Sequence, residues 1–100
     1  MQKSYSNENL RAVWAKGQTV AENDPDKFRK DQCGAWMDWD KYGNRDSKLG
    51  WEVDHMTPMA DGGSDSLSNL RPLQWENNAS KSDERLVCVV KASGNQNVNI

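Results

Sequence analysis

Apolar residues are sparse along this chain and fall in short, separated patterns. In residues 7–16 (NENLRAVWAK), Leu10, Val13 and Trp14 recur at i, i+3 and i+4, one stripe of a helix. Ser6 or Asn7 is placed to cap that helix and Gly17 to stop it. Residues 19–31 are polar, with Asp24-Pro25 as a turn signal and a single helical turn predicted over 26–30. Arg29 and Asp31 in this stretch read as a local ion pair or as solvated charges. Residues 35–39, Ala-Trp-Met-Asp-Trp, alternate as a strand does, and 49–55 read as its return. The two predict a hairpin across Tyr42-Gly43-Asn44 and a long charged connection, 40–48. Residues 56–68 read as a loop containing Pro58, Gly62 and Gly63. A short strand follows over 70–73, with Pro72 implying a sheet edge, and then a helix from Gln74 to about Arg85. Residues 86–90 (LVCVV) read as a strand or a packed extension, and 92–100, rich in Ser, Gly, Asn and Gln, as a fraying tail.

Strands and helices in this order predict an α+β fold. The 100 residues suit one small domain, 1–100, with no internal repeat and no second domain. Only 35% of them are hydrophobic and the mean hydropathy is −1.00, so the core must be small. Five tryptophans are expected to supply much of it, since each buries about 150–250 Å². No apolar run approaches the roughly 20 residues of a membrane span, and the first residues lack the apolar stretch of a secretory signal. The expectation is a soluble, cytoplasmic protein. Cys33 and Cys88 form no Cys-x-x-Cys pair. An oxidising compartment would allow them to bond, but a cytoplasmic chain is expected to keep them as separate thiols. The net charge of −2 and pI near 5.3 argue against a large nucleic-acid-coating surface, but not against a few cations gathered at one site.

Candidate chemistry concentrates in residues 51–83. His55, the sole histidine, directly follows Asp54; a Gly62-Gly63 loop comes next, then Asn69-Leu70, Pro72 and Leu73, and finally Asn77, Asn78 and Lys81. A carboxylate, an imidazole and later carboxamides are parts that can hold a hard metal ion beside a general base. In this order, "VDHMTPMADGGSDSLSNLRPL" followed by "NNASK" resembles the HNH endonucleases, the ββα-metal nucleases. His55 to Asn69 is a step of fourteen and Asn69 to Asn78 a step of nine, both ordinary for that family. The resemblance covers about a third of the chain.

It implies a ββα-metal core preceded by a β-hairpin and an N-terminal helix. It also implies a metal-dependent DNA endonuclease that hydrolyses phosphodiester bonds. His55 would be the general base; an imidazole's unperturbed pKa of about 6.5 leaves it able to take a proton from water at neutral pH. Asn69 would bond across the Gly-rich loop and steady the His55 region. Asp54 and Asn78 would ligate one divalent metal, Mg²⁺ or Mn²⁺, with Asn77 the rival to Asn78. Lys81 and Arg85 would share Asn78's helix face and, with Arg71, meet the phosphates of double-stranded DNA. Lys41, Arg45 and Lys48, like Arg11 and Lys16, read as DNA contacts or as solvated charges. Many relatives carry a structural zinc on two Cys-x-x-Cys pairs; the second pair's positions here are Gln74 and Asn77, so none is expected. A binding module that has lost turnover is the alternative, and a purely structural or protein-interaction domain the third reading. One physical requirement accompanies the resemblance: neighbours on a strand point to opposite faces, so the strand must end or bulge at Asp54-His55.

Overall fold

A computed structural model describes residues 4–82 and 85–100. Helix α1 (Asn7–Trp14) begins at Ser6, whose Oγ accepts from the Asn9 N–H at 3.1 Å, and buries Val13 and Trp14. Its predicted stripe therefore faces the core. The single turn expected over 26–30 lies slightly earlier. The Asp24 carbonyl accepts from the N–H groups of Lys27 and Phe28, and the chain then extends as strand β1 (Phe28–Lys30). Arg29 makes no pair with Asp31. It donates instead to the carbonyls of Pro25, Ala15 and Gly17, while Asp31 is buried.

The strand expected over 35–39 is β2 (Trp36–Asp38), but its partner differs from the prediction. It pairs antiparallel with β1, Arg29 opposite Met37, rather than with the strand at 49–55. That later strand, β3 (Trp51–His55), pairs with β4 (Leu70–Gln74) over five residue pairs, from Trp51 opposite Gln74 to His55 opposite Leu70. Pairing with β4 buries Val53 and Leu70 on a shared face, which the expected hairpin would not do. A hairpin thus precedes β3, but it is built from β1 and β2.

The core lies between α1 and the β3–β4 hairpin and is largely aromatic. Trp14 and Trp51 have ring centroids 5.0 Å apart, Trp39 and Trp51 5.7 Å, and Tyr42 and Trp51 4.9 Å. Such pairs each contribute about 0.5–1.5 kcal/mol beyond the area they bury.

Helix α2 (Trp75–Ala79) follows β4 directly and is far shorter than the helix predicted to Arg85; residues 83 and 84 of that prediction lie outside the described residues. Beyond Ala79 come Ser80, Lys81 and Ser82, with no apolar residue to continue a buried stripe and two serines that compete for backbone bonds. The expected fraying tail is instead a hairpin, β5 (Val90–Ser93) with β6 (Gln96–Asn99). Asn97 fixes it to β2: Oδ1 accepts from the Trp36 N–H at 2.7 Å and Nδ2 donates to the Trp36 carbonyl at 2.9 Å. Cys33 and Cys88, expected as separate thiols, are joined in a disulfide with 5.6 Å between their Cα atoms. The folded chain brings the 31–35 loop against the segment after α2, which no local pattern announces. Three antiparallel hairpins and two helices make a mixed, α+β architecture. Among the described residues no helix is long and apolar enough to cross a membrane.

Candidate functional site

Strand β3 sets the geometry. Trp51, Val53 and His55 leave one face and Glu52 and Asp54 the other, by the two-residue period of a strand. The register with β4 continues unbroken to His55–Leu70, so the strand ends at His55 without a bulge, and Asp54 and His55 emerge on opposite sides of that end.

On the His55 side, ring Nε2 lies 2.7 Å from Oδ1 of Asp65, and both side chains are half-buried. Asp65 arrives on the Gly-rich loop, whose shape depends on Gly63. A Cβ there would lie 1.7 Å from the Thr57 carbonyl oxygen, so only glycine permits the approach. Asn69 closes the same loop: its Oδ1 accepts from the Thr57 N–H at 2.8 Å, and its Nδ2 donates to the carbonyls of Thr57 at 2.9 Å and Ser64 at 2.8 Å. A single carboxamide thus spans the loop that carries His55's partner.

On the opposite face Asp54 is 4% exposed and bonded by two cations. Arg71, directly across on β4, donates from Nε to Oδ2 at 2.7 Å, and Lys81 donates from Nζ to Oδ1 at 2.7 Å. Lys81 also donates to the His55 carbonyl at 3.1 Å, so its ammonium touches both residues of the Asp-His pair. Arg71 is held from its other side by Gln32, at 2.8 Å. Lys81 reaches Asp54 from the turn after α2, not from the helix. Arg85 pairs with Ser82 through backbone bonds in that turn, so the helix stripe expected from Asn78 through Lys81 to Arg85 does not form.

The two asparagines of α2 part company. Asn77 is fully buried: Oδ1 accepts from the N–H groups of Val89 and Val90, and Nδ2 donates to Asp31 and the Val90 carbonyl. Asn78 turns toward β3 and donates from Nδ2 to Oε1 of Glu52 at 2.8 Å. Gln74 caps α2, with Oε1 accepting from the N–H groups of Glu76 and Asn77, while its own N–H donates to Asp31. Burial pushes the Asp31 carboxyl up, against its hydrogen bonds from Ala35, Asn77, Gln74 and Cys33.

Three residues that the sequence pattern did not single out for this site complete it. Asp65 had no signal beyond its place in the loop. Asp31 reads in the sequence only as a partner of Arg29 or as a solvated charge. Glu52 had one: it stands two residues before Asp54, hence on the same strand face. Its carboxylate is 3% exposed and bonded bidentately by Arg45, at 2.7 and 2.8 Å, as well as by Asn78. Burial alone would raise the Glu52 carboxyl, but the Arg45 and Asn78 hydrogen bonds outweigh it and hold it below its ordinary value. Lys48, from the same charged connection, pairs with Glu76 at 2.9 Å. Of the two N-terminal cations, Arg11 stacks 3.7 Å over the Trp39 ring, and Lys16 donates to the carbonyls of Leu67 and Leu70.

Asp54 and Asn78 carry the oxygen donors that a hard divalent cation takes, but here both Asp54 oxygens are bonded by Arg71 and Lys81, the Glu52 carboxylate is held by Arg45, and Asn78 turns its amide nitrogen to Glu52. Among the described residues no three His, Cys, Asp or Glu side chains gather as a metal cluster. Most of the coordination would therefore fall to water and phosphate, as Mg²⁺ commonly accepts.

A family model described as HNH endonuclease matches residues 41–84, a span that runs from the connection before β3 to beyond Lys81. No curated protein and no solved structure matches the chain.

Proposed function

We propose that the chain is a single-domain, metal-dependent endonuclease that hydrolyses phosphodiester bonds in double-stranded DNA. The HNH match over 41–84 carries the reading, because it encloses both faces of the β3 end and the residues that hold them. The β3–β4 hairpin running straight into α2 supports the ββα arrangement that such a site requires.

His55 acts as general base. With Nε2 donating to the Asp65 carboxylate, Nδ1 is the ring nitrogen left to accept a proton from the attacking water. Asn69 fixes the loop that brings Asp65 to the ring. A divalent cation on Asp54 and Asn78, Mg²⁺ or Mn²⁺, would neutralise charge on the phosphate and assist the leaving oxygen. Lys81 and Arg71 exchange partners when DNA binds, passing from the Asp54 carboxylate to phosphate oxygens and uncovering that carboxylate. Arg85, exposed beyond α2, joins this contact set from outside the helix rather than from its face.

Binding without turnover is the competing reading. In its favour, Asp54 is fully occupied by Arg71 and Lys81. One experiment separates the two: supercoiled plasmid incubated with the protein and Mg²⁺ or Mn²⁺, beside His55→Ala. Cleavage by the wild type, reduced about 10²–10⁴-fold in the variant, is expected of a general base. A plasmid that is bound but never cut supports the binding module. Cutting at equal rates by both proteins refutes the role given to His55.

A further inference from the structure

Among the described residues, Tyr5, Asn9, Asp65, Leu67 and Leu70 help to line a cavity of about 220 Å³ between the start of α1 and the Gly-rich loop. It begins where the proposed chemistry ends, because Oδ1 of Asp65 lies 2.7 Å from His55 Nε2. Its walls are of two kinds. Tyr5, half-buried and packed against the core, sets an aromatic ring beside the aliphatic Leu67 and Leu70. Asn9 adds a carboxamide that both donates and accepts, and Asp65 a carboxylate that accepts. Burial pushes the Tyr5 phenol above its ordinary value, so the ring is uncharged at neutral pH and sets no anion against a nucleic acid. Lys16 is exposed, and its ammonium bonds the Leu67 and Leu70 carbonyls, so a cation stands at the same wall.

An aromatic ring, hydrogen-bonding edges and a nearby cation match the three parts of one nucleotide: a face to stack, an edge to pair and a phosphate to neutralise. The volume decides how much of it enters. Pockets that enclose drug-sized ligands hold roughly 300–1,000 Å³, so this smaller cavity suits one base rather than a base pair. We infer that the cavity receives a single nucleobase, turned out of the helix, from a nucleotide beside the phosphate that His55 serves. The inference deepens the endonuclease reading and rests on it for the place of the cut. A base must leave its stack to enter, at a cost that is lowest where it is mispaired or unpaired. The substrate class that follows is duplex DNA carrying a mispaired or unpaired nucleotide.

Three labelled duplexes of one sequence test this by fluorescence anisotropy in EDTA: fully paired, with a central mismatch, and with an abasic site at the same position. The mismatched duplex is expected to bind about tenfold more tightly than the paired one, from stacking of the inserted base. The abasic duplex is also deformable but has no base to insert, and is expected to lose most of that gain. Tyr5→Phe, which keeps the ring, should keep the mismatch preference; Tyr5→Leu, which keeps only apolar bulk, should lose most of it. Both variants are checked for folding by thermal melting. Paired and mismatched duplexes bound alike by the wild type overturn the inference. So does an abasic duplex bound as tightly as the mismatched one, or a full preference in folded Tyr5→Leu. Because the preference is read without cleavage, it is separable from the plasmid assay. Preference without plasmid cutting supports the base pocket and not the nuclease, and cutting without preference does the reverse.

Discussion

Asn77 and Asn78 are adjacent and chemically identical, yet about 100° of helix rotation gives them opposite duties. Asn77 satisfies two backbone N–H groups and a carbonyl of the segment leading into β5, and it donates to the buried Asp31. Asn77→Ala would leave those backbone groups without that partner, while the Asp31 oxygen it bonds would keep the Gln74 N–H. Buried unsatisfied groups cost roughly 1–3 kcal/mol each, so a loss of about 3 kcal/mol or more in urea unfolding is expected. Asn78→Ala, which removes one bond at a half-buried position, should cost about 1 kcal/mol. Equal stability losses in the two variants would contradict the division of roles. The residues of the proposed site could be picked out of the sequence because Asp54, His55, Asn69 and Asn78 stand at family spacings and His55 is the sole histidine. Their partners were not. Asp65 and Glu52 are ordinary acidic residues whose meaning depends on what the fold sets opposite them. Gln74, read as the start of the helix, and Asn77, read as the rival ligand to Asn78, turn out to be a cap and a buried hydrogen-bonding hub.

At the scale of the element, α2 is short enough that its exit matters more than its face. Lys81 lies beyond the last turn and reaches Asp54 because the chain has already left the helix. Its ammonium opposes a cation at Asp54 but favours a phosphate nearby, so Lys81→Met should have effects of opposite sign. Mn²⁺ affinity of the DNA-free protein should rise, because one of two competing cations is gone. DNA affinity should fall for all sequences alike, with the slope of log affinity against log salt shallower by about one unit. Fluorescence anisotropy at several salt concentrations measures the second effect; an unchanged slope, or weaker Mn²⁺ binding, would refute the exchange of partners. Sequence patterning located β3, β4 and α1 well, since each carries its own apolar signal. It overextended α2 past Ala79, where Ser80 and Ser82 and the lack of an apolar residue already weaken a helix, and it misassigned the tail. There the Gly94-Asn95 pair sits between two strands as a two-residue turn, with Gly94 at φ 60°. That is the first turn position, which type II′ hairpins reserve for glycine, but the flanking residues are too polar to announce strands. Pairing β2 with β1 rather than β3 was beyond local reading altogether, because it follows from which strand β4 occupies.

For the whole molecule, the long-range ties bond to none of His55, Asp65, Asp54 or Asn78, although Gln32, beside Cys33, reaches Arg71. Cys33–Cys88, Asn77 with Asp31, and Asn97 with Trp36 all join residues 31–36 to the last quarter of the chain. The disulfide closes a loop of 55 residues, which in the chain-entropy account stabilises by roughly 4 kcal/mol. Cys88 is exposed, so a reductant can reach it. A compartment that keeps thiols reduced would therefore hold this chain in its less stable form. Reduction by dithiothreitol should lower the unfolding free energy by about 2–4 kcal/mol, and Cys88→Ser should reproduce the loss and abolish the response to reductant. Because neither cysteine bonds to His55, Asp65, Asp54 or Asn78, plasmid cleavage well below the melting transition should persist at a similar rate in reduced protein. The two readouts bear on different claims. Coincident melting curves with and without reductant would show that the disulfide does not hold the fold together. Cleavage lost on reduction, while the protein is still folded, would show that the β5–β6 side and the β3 end are coupled and not separable as argued here.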